Sequence, residues 1–487
     1  MANYLKNPFL ATDTYKLGHM VMYDPLVEQV YSYLEARKGG QKIVFTGLQY
    51  YILEYLLQPF TPSSFVEWQR TFEHMLGPVP EDIYNKMAAL MKLGYWPVEI
   101  CALPEGIVID NQNVLMTLRS TNPDFIWAVG YLESLLLKVW NTCTVAACSL
   151  EYLEITEDYA ELTCDNTGHV RYAVHDFSYR GVSSEETAAL SGGSHLICFY
   201  GTDTLVAVNM VWNYYTPVSA DTIIGKSAFA SEHSVMCSYG REREFEAIDR
   251  IIFEVFPTGL VSIVSDTYNL WIILTDYVQS RKERIRARKG RVVFRPDSGA
   301  PVDIICGKPL GQRETPEQKG ALQLLWESFG GTVNSKGYKV LDDHVGLIYG
   351  EAMTLPRYAT MLNTMMMLGF ASSNLVIGVG GLLAQNHNRD EHGFALKAVN
   401  VIKEGKAVEI YKDPITDNTK KSKKGFLNLN FDGRIFTTTD QCESHECELL
   451  RPVFKDGAIL KKYSLEQVRE NFEKSRKYKL KTAVVDA

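Results

Sequence analysis

The sequence lacks the features that mark several large classes of protein. It has no surplus of basic residues: 50 Lys and Arg stand against 58 Asp and Glu, a formal charge of −8. A mildly acidic chain is not built to wrap nucleic acid, which leaves only local basic patches. Long hydrophobic runs are missing too. The greasiest stretch, Phe125 to Trp140, is interrupted by Glu133 and Lys138 and is too short to cross a bilayer. Met1 to Asp13 has no basic region ahead of an apolar core, so a signal peptide is not expected. The 9 cysteines run from Cys101 to Cys447 with no short-period framework, as expected of reduced thiols in a cytoplasmic protein. One local group, Cys442-Glu-Ser-His445-Glu-Cys447, lacks paired CxxC ligands and reads as a polar loop rather than a zinc site. No repeat of fixed period stands out.

What is present is an ordinary globular composition, 46% apolar and 22% charged over 487 residues. That length suggests about three folding units, or fewer if one is an α/β barrel. From about residue 165 to 400, short β-rich runs alternate with amphipathic stretches, the mark of a largely parallel α/β unit. The strand candidates are Val170–Val174, Leu260–Val264, Arg291–Phe294, Val345–Tyr349 and Asn374–Ile377. The helix candidates are Arg243–Val255, Leu270–Arg288, Pro316–Phe329 and Leu355–Leu368. Polar clusters punctuate this region: His175-Asp-Phe-Ser-Tyr-Arg180, Gly201-Thr-Asp203, Ser231-Glu-His233, Ser265-Asp-Thr-Tyr268, Arg295-Pro-Asp-Ser-Gly299, Gly350-Glu351 and Gly378-Val-Gly-Gly381. Side chains at the carboxyl ends of successive parallel strands converge on one face when the sheet closes. The expected fold is therefore an irregular α/β barrel with a second α+β domain made from the N- and C-terminal segments. Residues 1–160 are assigned to the N-terminal segment and 161–400 to the barrel. Residues 401–487 form a β-rich segment packing with the first, including hairpin-like material at Gly425–Asn430 and Asp432-Gly433.

Several motifs admit more than one reading. Ala220 to Ser227 resembles a Walker A loop, but a weak strand precedes it and no helix follows, so it is not read as one. The Gly378–Gly381 turn either cradles an anion through backbone N–H groups or is simply a tight strand-to-helix turn. Asp266 and Asp297 are candidates for a divalent metal or for ribose hydroxyls. Arg295, two residues before Asp297, suits phosphate or stacking on a flat ring. His233, in a loop of small residues, can serve as base, ligand or phosphoryl acceptor. The runs Arg281–Lys289 and Lys420–Lys424 read as solvated surface.

Together, these clusters resemble the nicotinamide phosphoribosyltransferases of the type II phosphoribosyltransferase family. The resemblance runs from Ala11-Thr-Asp-Thr-Tyr-Lys16 to Lys412-Asp-Pro414 and Lys421-Ser-Lys-Lys-Gly425, and includes His175–Ser184, Gly201–Thr204, Ser231–Ser234, Val264–Tyr268 and Arg295–Gly299. It implies transfer of a phosphoribosyl group from phosphoribosyl pyrophosphate to nicotinamide, with Mg²⁺ and with ATP as activating co-substrate. It further implies a homodimer in which each barrel mouth is completed by the neighbouring subunit, with no nucleic-acid or membrane partner. By that resemblance Phe177 and Tyr15 of the partner subunit sandwich the pyridine ring, with Arg180 and Arg295 alongside. Asp203, assisted by Ser227 and Ser262, accepts from the carboxamide and repels nicotinate. Asp266, Asp297 and Glu351 lie near the ribose and the Mg²⁺-pyrophosphate, Gly350 precedes Glu351, and Gly380 and Gly381 hold the 5′-phosphate. Arg37, Arg389 and Lys397 come from the partner subunit to neutralise phosphates, and His233 is the phosphorylated histidine, with Glu232 as its orienting partner. The chain departs from the family's Gly-Asp-Gly, reading Gly350-Glu351-Ala352. The alternatives are a nicotinate phosphoribosyltransferase, against which Asp203 weighs, and a non-catalytic scaffold of the same fold.

Overall fold

The computed structural model describes residues 6–308, 314–412, 422–433 and 435–477. Parts of the basic run Lys420–Lys424 and of the Lys412-Asp-Pro414 and Lys421–Gly425 motifs lie outside them. The chain divides into two compact units. One comprises Cys148–Asn209 and Ile223–Asn386; the other comprises the segment ending at Ala147, Met210–Thr222 and the segment from His387 onward.

The first of these units is the α/β barrel. Its strands are β1 (Val174–Asp176), β2 (Gly201–Thr202), β3 (Phe229–Ala230), β4 (Val261–Val264), β5 (Val292–Arg295), β6 (Val345–Tyr349) and β7 (Leu375–Val379). They pair in the order β2-β1-β7-β6-β5-β4-β3, every pair parallel. The two edges meet: Gly201 of β2 bridges Lys226, three residues ahead of β3, with Thr202 N–H donating to the Lys226 carbonyl at 2.9 Å. That bridge closes the ring. Strands enclosed by helices are buried on both faces, so β6 reads as an unbroken apolar run and β4 is apolar but for Ser262, and both are buried throughout.

Local chemistry sets the helix limits. Helix Glu185–Cys198 starts at Ser184, whose hydroxyl accepts from Thr187 N–H at 3.1 Å. Helix Pro316–Phe329 has a capping box between Thr315 and Gln318 and a proline in its first turn. Helix Leu355–Met367 and the helical run from Leu270 to Arg286 match their amphipathic patterns closely.

One expected element differs. Val170–Val174 is not a strand: Val170–Tyr172 is a 3₁₀ turn, and β1 begins only at Val174. Consecutive bonds from Val170 N–H to Thr167 and from Tyr172 N–H to His169 wind the chain there. A local turn with satisfied backbone groups overrides the β-branched composition. Ala220–Ser227 carries neither strand nor long helix, and the Lys226 backbone serves barrel closure.

The other unit is built on a seven-stranded antiparallel sheet. Its strand Val27–Ala36 lies between Val114–Ser120 and Phe394–Lys403, so segments from both ends of the sequence share one sheet. A separate hairpin pairs Phe426–Phe431 with Phe436–Cys442. None of the 9 cysteines forms a disulfide. Among the described residues no helix is long and apolar enough to cross a membrane.

Candidate active site

Each of the seven polar clusters sits at the carboxyl end of one barrel strand, β1 to β7 in order. A cavity of about 400 Å³ lies in the barrel, lined by Phe177, Asp203, Ser227, Ser262 and Arg295. Five residues singled out from sequence thus share one wall. The lining also includes Tyr172, Leu260, Arg291 and Ser373, which precede strands, so the cavity reaches from the carboxyl ends of the strands toward their amino ends.

Glycines make room for Phe177. A Cβ on Gly378 would stand 2.1 Å from the Phe177 ring, and one on Gly350 would stand 3.2 Å from it. Phe177 therefore lies flat against a backbone that admits no side chain, while its N–H donates to the Val379 carbonyl at 2.9 Å. Gly381 meets the turn at Gly181 almost as closely, 3.1 Å from a Cβ to the Gly181 carbonyl oxygen.

Polar groups face the cavity. Ser227 donates its hydroxyl to Asp203 Oδ1. Arg295 donates through Nη2 to the Ser231 carbonyl at 2.8 Å. Ser262 Oγ and Arg295 Nε are buried without a hydrogen-bond partner in the protein. Orphaned buried polar atoms cost free energy unless a ligand or water satisfies them, so these two are available to a bound molecule. His175 also lines the cavity, its ring packed on Gly201 and 6.2 Å from that of Phe177. Burial pushes its imidazole down to about 4, against the opposing pull of Asp203, so it is neutral at pH 7.

At the carboxyl ends of β3, β4 and β5 lies a second constellation. His233 Nε2 is 3.1 Å from Asp266 Oδ1, and Asp266 Oδ2 accepts from Asp297 N–H at 2.8 Å and from Ser298 Oγ at 2.6 Å. Burial raises the Asp266 carboxyl, but the donors together outweigh it and hold the group below its ordinary value. Being ionised, Asp266 can only accept, so the Nε2 of His233 carries the proton. Glu232 is not the partner of His233; it accepts the Ser234 hydroxyl. Glu351 and Arg180 are exposed, and Ala352 takes a φ of 49°, the conformation for which the family's glycine is suited.

The four remaining candidates belong to the antiparallel unit. Arg37 follows the strand Val27–Ala36 and donates through Nε to the Gly393 carbonyl at 3.2 Å. Lys397 stands opposite Tyr33 on the neighbouring strand. Burial, and then the charge of Arg37, depress the Lys397 ammonium despite Glu133 and Glu35. Arg389 pairs with Asp390 at 3.2 Å, and Tyr15 is 65% exposed. An exposed aromatic ring and a lysine under positive pressure are features that an aromatic or anionic ligand would relieve.

Among the described residues no three His, Cys, Asp or Glu side chains converge as a metal cage. Cys447 instead takes an N–H from Leu429 through sulfur, within the hairpin region. Asp266 already accepts three donors, which leaves Asp297 as the carboxylate best placed to meet an ion. One or two carboxylates fit Mg²⁺ whose other ligands are phosphate oxygens.

A closed parallel barrel with orphaned polar groups on its wall and an anionic and imidazole cluster at its strand ends defines a barrel-mouth enzyme site. Residues 172–473 match the model described as the nicotinate phosphoribosyltransferase (NAPRTase) family, and residues 7–91 that described as the nicotinamide phosphoribosyltransferase N-terminal domain. The chain is 38% identical to a nicotinamide phosphoribosyltransferase of Acinetobacter baylyi over 95% of its length and 96% of the relative's. It is 37% identical to one of Xanthomonas campestris pv. campestris, covering 97% of this chain and 100% of that one. The crystal structure of human nicotinic acid phosphoribosyltransferase superposes with a TM-score of 0.58 at 14% identity, over 96% of this chain and 94% of that one. The chain belongs to the nicotinate phosphoribosyltransferase family, and it is a phosphoribosyltransferase.

Sequence reasoning did not nominate His175, Ser298 or Asp176, although all three stand inside quoted motifs. Tyr172, Leu260 and Arg291 had no comparable signal, because a reading keyed to the carboxyl ends of strands ignores residues that precede them.

Proposed function

We propose that the enzyme joins nicotinamide to phosphoribosyl pyrophosphate, forming nicotinamide mononucleotide and pyrophosphate, as a step of NAD salvage in the cytoplasm. The observation that carries this reading is the carboxylate of Asp203 in the cavity that also holds Phe177 and Ser262. A carboxylate accepts from a carboxamide NH₂ and opposes the carboxylate of nicotinate, so an unfavourable charge meeting supplies selectivity. Phe177 offers one face to the flat pyridine ring. Ser262 Oγ and Arg295 Nε, both without partners, are available to the amide and to the ring's surroundings.

In the reaction, the pyridine nitrogen bonds to C1 of the ribose as the C1–O bond breaks and pyrophosphate leaves with the electron pair. The ring nitrogen carries no proton, so no general base is needed. Nicotinamide is a weak nucleophile, and the transition state is loose and oxocarbenium-like. Catalysis then rests on positioning and on electrostatic stabilisation of the leaving group. Asp297 and Asp266 face the ribose and the pyrophosphate, Arg180 and Glu351 flank them, and the Gly350 and Gly380-Gly381 turns allow close backbone approach. Asp297, together with the pyrophosphate, would hold Mg²⁺, which would supply charge neutralisation of the leaving group. Tyr15, Arg37, Arg389 and Lys397 of the partner subunit complete the site in a homodimer.

ATP hydrolysis stimulates turnover through phosphorylation of His233. Asp266 occupies Nε2, which leaves Nδ1 with its lone pair as the phosphoryl acceptor. Supplying nicotinamide and nicotinate in turn, with labelled phosphoribosyl pyrophosphate, tests the reading. Labelled nicotinamide mononucleotide is the expected product, and preference for nicotinate refutes the assignment.

A further inference from the structure

We propose that Asp176 is a positioning residue for base recognition, a buried bracket that fixes Phe177 and Asp203 relative to each other. The inference rests on the reading of those two residues as base-binding.

Asp176 ends β1 and is completely buried. Its Oδ1 accepts the Ser178 N–H at 2.8 Å, which fixes the chain immediately after Phe177. Its backbone carbonyl accepts the Asp203 N–H at 2.9 Å. Its Oδ2 receives the Thr202 hydroxyl at 3.5 Å, and the same hydroxyl oxygen accepts the Thr204 N–H at 3.0 Å. Directly, or for 204 through Thr202, Asp176 thus ties down Asp203 itself and positions 178, 202 and 204, which flank the two base-binding side chains. The carboxylate's place is built for it: a Cβ on Gly192 of helix Glu185–Cys198 would stand 2.8 Å from Oδ2. A larger residue at 192 would displace the carboxylate.

Burying a carboxylate is costly unless donors satisfy it, so the group is an expensive choice for mere space filling. Its donors are not spread over the fold. They come from the β1 and β2 loops, the two that carry Phe177 and Asp203. A misplacement of about 1 Å at a binding group is enough to weaken recognition strongly.

The test uses Asp176→Asn, which keeps one oxygen acceptor but loses the charge, and Thr202→Val, which removes the bridging hydroxyl at constant shape. The KM for whichever pyridine base the wild type uses is measured beside the KM for phosphoribosyl pyrophosphate and the melting temperature. The expected result is a rise of about tenfold or more in the base KM, with the phosphoribosyl pyrophosphate KM nearly unchanged. Thr202→Ser, which restores a hydroxyl, should recover the wild-type value. A rise in both KM values together, a rise in neither, or no rescue by serine overturns the inference. The identity of the base used by the wild type tests the proposed function separately.

Discussion

His233 and Asp266 are joined by a 3.1 Å hydrogen bond from Nε2 to Oδ1, and that bond fixes which imidazole nitrogen keeps its lone pair. Ser298 and the Asp297 backbone hold the other carboxylate oxygen, so the acceptor cannot turn away without losing both donors.

Asp266→Asn follows directly. The amide keeps the shape but loses the charge assistance that aligns the imidazole. Phosphate incorporated on His233 from γ-labelled ATP should fall by about tenfold or more. Ser298→Ala should have a smaller effect in the same direction. Wild-type incorporation in Asp266→Asn would exclude the orienting role.

Gly378 makes a steric prediction. Alanine there forces the Phe177 ring to move, at a cost of about 1–3 kcal/mol in strain. The base KM should rise by an order of magnitude and the melting temperature should drop. Gly380→Ala is the control, because its new Cβ would meet nothing nearer than 3.7 Å. Equal effects of the two alanines on the base KM would contradict the close-packing account.

A pH dependence comes from His175. Its folded-state pKa of about 4 lies below the unfolded value of about 6.5, so protonation favours unfolding. The neutral form is fully stabilising above about pH 6.5, and stability declines as pH falls toward about 4, by at most about 1.4 kcal/mol per unit. His175→Asn should flatten the melting temperature between those limits. Parallel curves for variant and wild type would show that His175 does not titrate in this window.

The barrel was legible because buried parallel strands leave an unmistakable record: apolar runs such as Val345–Tyr349, each followed by polar residues. Val170–Val174 misled for the same reason, since valine content says nothing about whether neighbouring carbonyls close a turn first. That Phe177, Asp203, Ser227, Ser262 and Arg295 belong together was legible through the family resemblance, and one cavity brings them together, but the partner of His233 was not legible. Glu232 is adjacent in sequence, whereas Asp266 is 33 residues away and reaches His233 only once β3 and β4 pair. Asp176 was hidden inside a motif whose neighbours carry the visible chemistry. Its role depends on Thr202 and Gly192, which no linear spacing connects to it.

The most direct measurement is the ratio of kcat/KM for nicotinamide to that for nicotinate in wild type and in Asp203→Ala. The wild type should favour the amide, and removing the carboxylate should shrink that ratio by about ten- to a hundredfold. An unchanged ratio in a folded variant would contradict the claim that Asp203 chooses the substrate.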